Sequence, residues 1–201
     1  MNFDKGKIIQ IRGDASFRKF YRKKFNNKSS IIIYSKKEKN KNLLNYEAIN
    51  KLLNKNKISA PSLILENFRK SFIEVKDVGK KSVLDILNQK NSSKIIIYNR
   101  ILKILIKLQK IKSKKVKNFK NKFYKIPQYS KKLIFNEANL FLDWYVPQVI
   151  NKNKISIIKK DLKKIIASLT KKIQLPNNTF VHRDFHVSNL MIDKKKISLI
   201  D

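Results

Sequence analysis

Short apolar runs separated by turn signals predict a small sheet over the first 80 residues. Runs rich in β-branched residues, too short for helices, predict strands at residues 8–11, 30–34, 63–65 and 71–75. Between them, apolar residues recur at helical spacing from 43 to 53, and Ser59-Ala60-Pro61 ends this helix. The first part of the chain therefore has the pattern of an antiparallel sheet with one helix.

The rest of the chain shows mainly the helical period. Apolar stripes predict helices at residues 83–87, 97–108, 137–149 and 155–173. Residues 112–126 are rich in Lys and poorly patterned, which predicts a solvated connection. Strand-like runs return at residues 179–181, 190–192 and 197–200. The order of elements predicts an α+β protein with a sheet-rich lobe, residues 1–79, before a mainly helical lobe, residues 80–201.

Lysine dominates the charge of the chain. Of 201 residues, 48 are basic and 14 acidic, giving a formal net charge of +34, and the basic residues comprise 42 Lys and six Arg. With 30 Ile and 22 Asn as well, the composition is that of A/T-rich codon usage. Lys is spread over nearly every segment, whereas nucleic-acid-binding proteins usually concentrate basic residues on one face. We therefore expect salt-sensitive adhesion to polyanions and no specific nucleic-acid partner.

Composition also excludes several kinds of site. The absence of Cys excludes disulfides and thiolate metal sites, and two His are too few for a histidine-rich metal site. The N-terminus lacks the apolar run of a signal peptide, and no window approaches 18 uncharged apolar residues. With 42% apolar residues, enough for a core, the chain is expected to be a cytoplasmic protein without a membrane segment.

The segment HRDFHVSN, residues 182–189, carries the most specific chemical signal. It differs from the kinase catalytic-loop pattern H-R-D-L-x-x-x-N only by Phe185 in place of Leu. In that pattern Asp184 is the base that accepts the proton of a substrate hydroxyl, and Asn189 binds Mg²⁺. Asp201, at the end of the next predicted hairpin, is a second candidate ligand for the same metal. A polar turn between strands is the alternative, but the Asn offset, the flanking strands and the late Asp together favour phosphoryl transfer from ATP.

Three segments resemble one group of small-molecule kinases. His186 stands where protein kinases usually carry Lys. With this His, the segment resembles the aminoglycoside phosphotransferase and choline kinase superfamily. The segment GDASFRKF, residues 13–20, is similar to the G-D-A-S-x-R-x-Y signature of the anomeric N-acetylmuramate and N-acetylglucosamine kinases. Pro127-Gln128-Tyr129 and the segment LFLDWY, residues 140–145, resemble the P-x-Y…L-F-x-x-W-Y block of that branch.

The resemblance implies a protein-kinase-like two-lobe fold and ATP- and Mg²⁺-dependent transfer of the γ-phosphate to a hydroxyl of an amino sugar. An aminoglycoside, choline or another alcohol stays open as the acceptor. A basic nucleic-acid-binding module that keeps this fold without catalysis is the alternative from a different class. These kinases continue beyond the carboxylate that Asp201 matches, so the resemblance also implies a truncated helical lobe. We expect residues 1–201 alone to be poorly soluble or partly unfolded and to bind ATP weakly.

The resemblance also implies which residues meet the nucleotide. The turn over the ATP phosphates would comprise Gly13, Asp14, Ala15 and Ser16. Glu47 falls in the helix whose Glu holds the nucleotide Lys in this superfamily, although a solvated helix face would also explain it. The Lys itself would be Lys36 or Lys37, after the third predicted strand. Glu74 belongs to the hinge, residues 74–76, whose backbone would meet adenine.

For the acceptor, the resemblance indicates His186, Asp143 and Trp144. An aromatic ring can stack on the apolar face of a sugar, but Trp144 and Tyr145 at helical spacing are more typical of a core pair. Asp143 and Glu137 are each either ligands for a sugar hydroxyl or ordinary solvated side chains.

Overall fold

The computed structural model contains a five-stranded antiparallel sheet in its N-terminal part. It describes residues 7–11, 17–26, 28–90, 93–174, 179–194 and 196–200. The strands are β1 (Lys7–Ile11), β2 (Arg18–Phe25), β3 (Lys28–Ser35), β4 (Leu63–Asn67) and β5 (Phe72–Lys76), in the spatial order β1-β2-β3-β5-β4. Arg18 pairs with Ser35 and Arg22 pairs with Ile31, so the start of β2 and the end of β3 lie at the same end of the sheet.

The core of this part forms between the sheet and helix α1 (Lys41–Lys55). Leu43 and Tyr46 of α1 pack against Ile33 of β3 and against Ile73 and Val75 of β5, all of them buried. Burying one such apolar side chain stabilises the fold by about 1.5–3 kcal/mol. The prediction of an antiparallel sheet with one helix is confirmed.

A short connection, residues 77–80, leads from the sheet to β6 (Lys81–Ser82) and α2 (Val83–Leu87). Helix α2 begins with a capping box, in which Ser82 Oγ accepts from the N–H of Asp85 at 3.1 Å and Asp85 Oδ2 accepts from the N–H of Ser82 at 2.7 Å. Gly79 has a φ of +131°, and a Cβ there would lie 3.0 Å from the carbonyl oxygen of Ile192. Both observations require glycine at this position.

Residues 112–126 are not the solvated connection that their composition predicts. After α3 (Lys94–Gln109), they contain an antiparallel hairpin of β7 (Lys115–Lys117) and β8 (Phe123–Lys125). Asn118 Oδ1 holds the turn by accepting from the N–H groups of Lys120 and Lys122, at 2.9 and 3.2 Å. Phe119 packs against the core cluster. Because β7 has Lys at both ends, the pattern of apolar residues does not predict this hairpin.

The last strands form a second sheet. β9 (Leu190–Asp193) pairs with β10 (Lys196–Leu199) and with β6, in the order β10-β9-β6. The N–H of Leu199 donates to the carbonyl of Ser59 at 2.9 Å, which joins this sheet to the segment that follows α1. The strand predicted at residues 179–181 is wrong, because those residues are irregular and no described strand pairs with them.

The chain divides into two compact units, Met1–Ile126 with His182–Asp201, and Pro127–Val181. The second unit consists of α4 (Lys131–Leu140), a π-helical turn (Phe141–Tyr145), α5 (Val146–Val149) and α6 (Lys152–Lys172). Helix α4 begins before the predicted start at residue 137, because Ser130 Oγ accepts from the N–H of Leu133 at 3.3 Å and caps it. No helix in the described ranges combines the length and the apolar character needed to cross a bilayer.

Candidate active site

The HRDFHVSN segment forms a loop that leads directly into β9. Leu190 is almost completely buried where the strand begins, and the N–H of Ile200 donates to the carbonyl of Asn189 at 3.1 Å. Within the loop, Arg183 has a φ of +71°, in the left-handed region that a residue with a Cβ rarely adopts. Residues held in such conformations concentrate at functional sites, so the geometry of the loop itself favours a chemical role.

Three polar side chains of this loop meet in one cluster. Asn189 Nδ2 donates to Asp184 Oδ2 at 2.8 Å and to the carbonyl of Asp184 at 3.1 Å. His186 Nε2 lies 3.2 Å from Asp184 Oδ1. Both oxygens of the carboxylate therefore have a partner in the loop, while the Asp184 side chain remains 69% exposed. The structure thus presents a fixed carboxylate to an incoming ligand.

The ring of His186 lies against the other members of the cluster. The N–H of Ser188 donates to Nδ1 at 3.3 Å. Asn189 Nδ2 lies 3.1 Å from Nε2, the same ring nitrogen that lies 3.2 Å from Asp184 Oδ1. His186 therefore contacts both the carboxylate and the amide of the cluster.

The amide of Asn189 leaves its oxygen available. Its nitrogen is engaged by Asp184, and among the described residues no hydrogen bond uses Oδ1. An amide oxygen is a ligand that Mg²⁺ accepts. Asp201 lies outside the described residues, and the described part of the chain holds no group of three or more His, Asp or Glu suited to a metal. The assignment of Asn189 and Asp201 to Mg²⁺ therefore stays a prediction.

A cleft of about 570 Å³ joins this loop to the five-stranded sheet, within a single compact unit. Its volume falls in the range of about 300–1,000 Å³ that is usual for small-molecule sites. Apolar side chains form one part of its lining: Ile11, Phe20, Ile31, Val75, Met191 and Ile200. The polar part comprises Arg18, Arg22, Lys76, Asp77, Lys80, Asp184, His186, Ser188 and Asn189. The candidate base and the candidate metal ligand therefore share one cavity with the strands of the sheet.

An ion pair that sequence reasoning missed stands at this cleft. Arg22 Nε donates to Asp77 Oδ2 at 2.7 Å, and Arg22 Nη2 donates to the carbonyl of Gly79 at 2.9 Å. Burial alone raises the pKa of Asp77, but hydrogen bonds from Arg22, Ser29 and the N–H of Gly79 outweigh it and hold that pKa below its usual value. The turn signal at 77–79 locates this segment in the sequence, but nothing in the sequence pairs it with β2.

Of the candidate residues for the phosphates, the structure describes Lys36 and Glu47. Residues 13–16 lie outside the described residues. Lys36 is exposed and is not among the residues that line the cleft. Glu47 is buried, so the solvated alternative is wrong, and it accepts a hydrogen bond from the N–H of Phe119. Burial raises the pKa of Glu47 against the opposing effects of Lys51 and that hydrogen bond.

Glu74 lies in β5 with its side chain engaged away from the cleft lining. Its carboxylate accepts a hydrogen bond from Ser30 Oγ at 2.5 Å and lies 3.5 Å from Lys23 Nζ. Its neighbour Val75 does line the cleft. The Glu74 carboxylate therefore makes its contacts within the sheet, and a role of residues 74–76 in binding adenine stays a prediction.

The candidate acceptor residues Asp143 and Trp144 lie in the π-helical turn of the second unit. The core position favoured for Trp144 and Tyr145 is wrong, because Trp144 is 72% exposed and Tyr145 stacks on Phe141 at 5.2 Å between ring centroids. Asp143 is exposed and lies 3.6 Å from Lys159 Nζ. Glu137 accepts a hydrogen bond from the hydroxyl of Tyr129 at 2.8 Å.

Comparison with known proteins places the chain among phosphotransferases. The family described as "Phosphotransferase enzyme family" matches residues 7–201. The N-acetylmuramate/N-acetylglucosamine kinase of Neisseria meningitidis is 22% identical over 94% of this chain and 54% of its own length. The enzyme of the same name from Pseudomonas aeruginosa is 23% identical over 96% of this chain and 54% of its own length. The chain thus spans about half the length of the curated relatives it matches.

Solved structures share the fold. Aminoglycoside phosphotransferase APH(4)-Ia gives a TM-score of 0.66 at 9% identity, over 99% of this chain and 67% of that one. Choline kinase LicA from Streptococcus pneumoniae gives 0.54 at 15% identity, over 98% of this chain and 63% of that one. These likenesses confirm the predicted kinase-like fold. Because the family match extends over almost all of its residues, the chain belongs to the Phosphotransferase enzyme family.

Proposed function

We propose that this protein is an ATP-dependent kinase that transfers the γ-phosphate to a hydroxyl group of an amino sugar. The observation that carries the proposal is the cleft in which the Asp184 cluster meets the five-stranded sheet. Phosphoryl transfer asks a protein mainly for a base, for positioning and for neutralisation of charge. In this proposal residues 1–79 are the nucleotide-binding lobe, and residues 80–201 belong to a helical lobe that carries the catalytic loop.

Asp184 is the base of the proposed reaction. Its carboxylate accepts the proton of the acceptor hydroxyl while the hydroxyl oxygen bonds to the γ-phosphorus. The bond from that phosphorus to the bridging oxygen breaks, and its electron pair leaves with ADP. An ionised carboxylate has about four acceptor sites. The hydrogen bond from Asn189 and the contact with His186 therefore orient Asp184 and still leave it able to take a proton.

The phosphates and the adenine are met by different parts of the cleft. Mg²⁺ bound with ATP neutralises charge on the phosphates, and the amide oxygen of Asn189 with the carboxylate of Asp201 are the hard oxygen ligands proposed for it. The turn of residues 13–16 is proposed to cover the phosphates. The apolar side chains of Ile31, Val75 and Met191 suit an adenine ring.

The acceptor class rests on the names of the relatives and on the second unit. Two of the relatives are N-acetylmuramate/N-acetylglucosamine kinases. The exposed ring of Trp144 presents a face on which the apolar side of a sugar can stack, and Asp143 beside it is a candidate for a sugar hydroxyl. Single π-helical turns occur frequently at functional sites. His186 is the candidate acceptor contact within the catalytic loop.

The test is ADP formation by the purified protein with ATP, Mg²⁺ and single acceptors. We expect turnover with N-acetylmuramate or N-acetylglucosamine, with a sugar phosphate identified by ³¹P NMR. The variant Asp184→Asn should lose about 10²–10⁴-fold in rate, as expected for loss of a general base. Asp193→Asn, which changes an exposed carboxylate in β9, is the matched control.

Other outcomes would change the assignment. Turnover of an aminoglycoside or choline alone would reassign the acceptor within the same reaction. ADP formation that needs no acceptor and is unchanged by Asp184→Asn would refute the proposal. Nucleic-acid binding that persists above about 0.2 M salt, without turnover of any acceptor, would favour a binding module, because diffuse charge gives salt-sensitive binding.

A further inference from the structure

The strand that usually supplies the phosphate-binding lysine of a kinase does not supply one here. In protein kinases that lysine lies on β3. Here β3 reads Ser-Ile-Ile-Ile-Tyr-Ser from residue 30 to residue 35, and Ile33 is completely buried in the core. Lys28 stands at the far end of the strand, opposite Phe25, and Lys36 follows the strand as an exposed residue outside the cleft lining.

Arg18 supplies a different cation at the end of the sheet where β3 ends. Arg18 is the first residue of β2, follows the segment 13–17 in sequence and pairs directly with Ser35, the last residue of β3. Its half-buried side chain lines the cleft that also holds Asp184 and Asn189. Because β2 and β3 are antiparallel, either strand can deliver a side chain to this end.

Aromatic rings hold the guanidinium of Arg18 in place. Its Cζ lies 5.2 Å from the ring centroid of Tyr46 and 5.8 Å from the centroids of both Phe17 and Phe20. A guanidinium over an aromatic face is attracted by the ring and loses conformational freedom before any ligand arrives. Its planar donors also match two phosphate oxygens in a fixed bidentate geometry, whereas a lysine binds phosphate as a point charge.

The second arginine of the cleft has a different task. Arg22 is engaged by Asp77 and the carbonyl of Gly79, and it lies four residues further along β2, about 13 Å away at the usual rise of a strand. Lys76 and Lys80 line the cleft in the connection that contains Asp77. Arg22 and these lysines therefore lie at the end of the cleft next to residues 76–80, whereas Arg18 lies where β2 begins and β3 ends.

We propose that Arg18 is the phosphate-binding cation of this protein and that it replaces the lysine of β3. Its guanidinium donates two hydrogen bonds to non-bridging oxygens of the nucleotide phosphates, and Tyr46 fixes its orientation. This inference rests on the proposed function, since it requires ATP in the cleft. It also removes the need for Glu47 to hold a nucleotide lysine, in agreement with the contact of Glu47 with Phe119.

The test compares nucleotides with and without phosphates. The affinities of ATP, ADP and adenosine are measured by calorimetry for the wild type, Arg18→Gln and Arg18→Lys. Arg18→Gln should weaken ATP and ADP by about 10- to 100-fold, as expected for loss of a charge-assisted pair, and leave adenosine unchanged. The affinity of Arg18→Lys for ATP and ADP should lie between those of the wild type and Arg18→Gln. Lys19→Gln, which changes the neighbouring exposed cation outside the cleft lining, is the matched control.

Three results would overturn the assignment. Wild-type affinity of Arg18→Gln for ATP would leave Arg18 without a role in phosphate binding. In Arg18→Gln, a loss of adenosine affinity equal to the loss of ATP affinity would indicate damage to the cleft. The proposal would then require Arg18→Lys to restore the affinity for both ligands. A loss of ATP binding in Lys36→Gln would return the role to that lysine. A wild-type protein that binds no ATP at all refutes the proposed function itself, an outcome distinct from these three.

Discussion

The Arg22–Asp77 pair predicts a measurable loss of stability when its charge is removed. Asp77→Asn keeps the size of the side chain but replaces the negatively charged acceptor of Arg22 with a neutral amide. The side chains are only 17% and 6% exposed, and the Nε–Oδ2 distance is 2.7 Å, so water screens the pair weakly. Hydrogen bonds to charged groups contribute about 1.5–3 kcal/mol, and breaking a buried pair costs more than breaking an exposed one. We therefore expect a loss of about 2–3 kcal/mol, or about 4–12 °C in Tm for a domain of this size.

The assay is thermal or urea unfolding as a function of pH. Because the folded state lowers the pKa of Asp77, the pair stabilises the protein above the unfolded pKa of about 3.9 and loses its effect as pH falls through the folded value. The difference between wild type and Asp77→Asn should thus be largest near pH 7 and shrink in acid. Glu66→Gln, at a pair whose side chains are 37% and 41% exposed, is the control, with an expected loss below about 1 kcal/mol. Equal stability of wild type and Asp77→Asn at pH 7 would refute the reasoning.

Three further substitutions have defined outcomes. Gly79→Ala should lower stability by about 1–3 kcal/mol in urea unfolding, because its φ is +131° and the new Cβ meets the carbonyl of Ile192; an unchanged midpoint would contradict this. Ser82→Ala should cost about 1 kcal/mol through loss of the α2 cap, and Ser82→Thr should recover much of it. Glu47→Gln should be at least as stable as the wild type at pH 7 and lose this advantage near pH 4, since a raised folded pKa makes the wild type less stable as pH rises through it. A lower Tm for Glu47→Gln at pH 7 would show that its charge is favourable.

The sequence predicted the fold where periodicity and local chemistry agree. The strands at residues 30–34 and 71–75 and the helix at 43–53 are apolar enough to be recognised. The structure extends the first strand and the helix by a few residues and shifts the second strand by one. The hairpin of β7 and β8 was not predicted, because it is held by the Asn118 turn and by the packing of Phe119 on the core, not by an apolar face of its own. Helix α4 began early for a similar local reason, the cap at Ser130.

The HRDFHVSN loop was predictable because the chemistry of its motif requires a fixed spacing. The other residues of the cleft depend on pairings between distant segments. Arg22 and Asp77 are separated by 55 positions, and the register of β2 against β3 decides that Arg18 and not Lys36 faces the cleft. The abundance of Lys makes the cleft residues harder to predict, because with 42 Lys almost every strand end offers a cation. Motif matching therefore identifies the candidate base, whereas Arg18 becomes a candidate phosphate contact only through the pairing of the strands.

Arginine is the more informative cation in such a chain. A coding bias towards Lys explains lysines anywhere, but it does not explain the six arginines. Arg18 and Arg22 line the cleft, and Arg183 occupies the strained position in the catalytic loop. At two of these sites the structure shows work that an ammonium group does poorly: Arg22 donates from two nitrogens to Asp77 and Gly79, and Arg18 lies over aromatic rings. We therefore expect Arg22→Lys to lower the stability of the protein almost as much as Asp77→Asn in the same unfolding assay, whereas Arg69→Lys, a change outside the cleft lining, will not change stability.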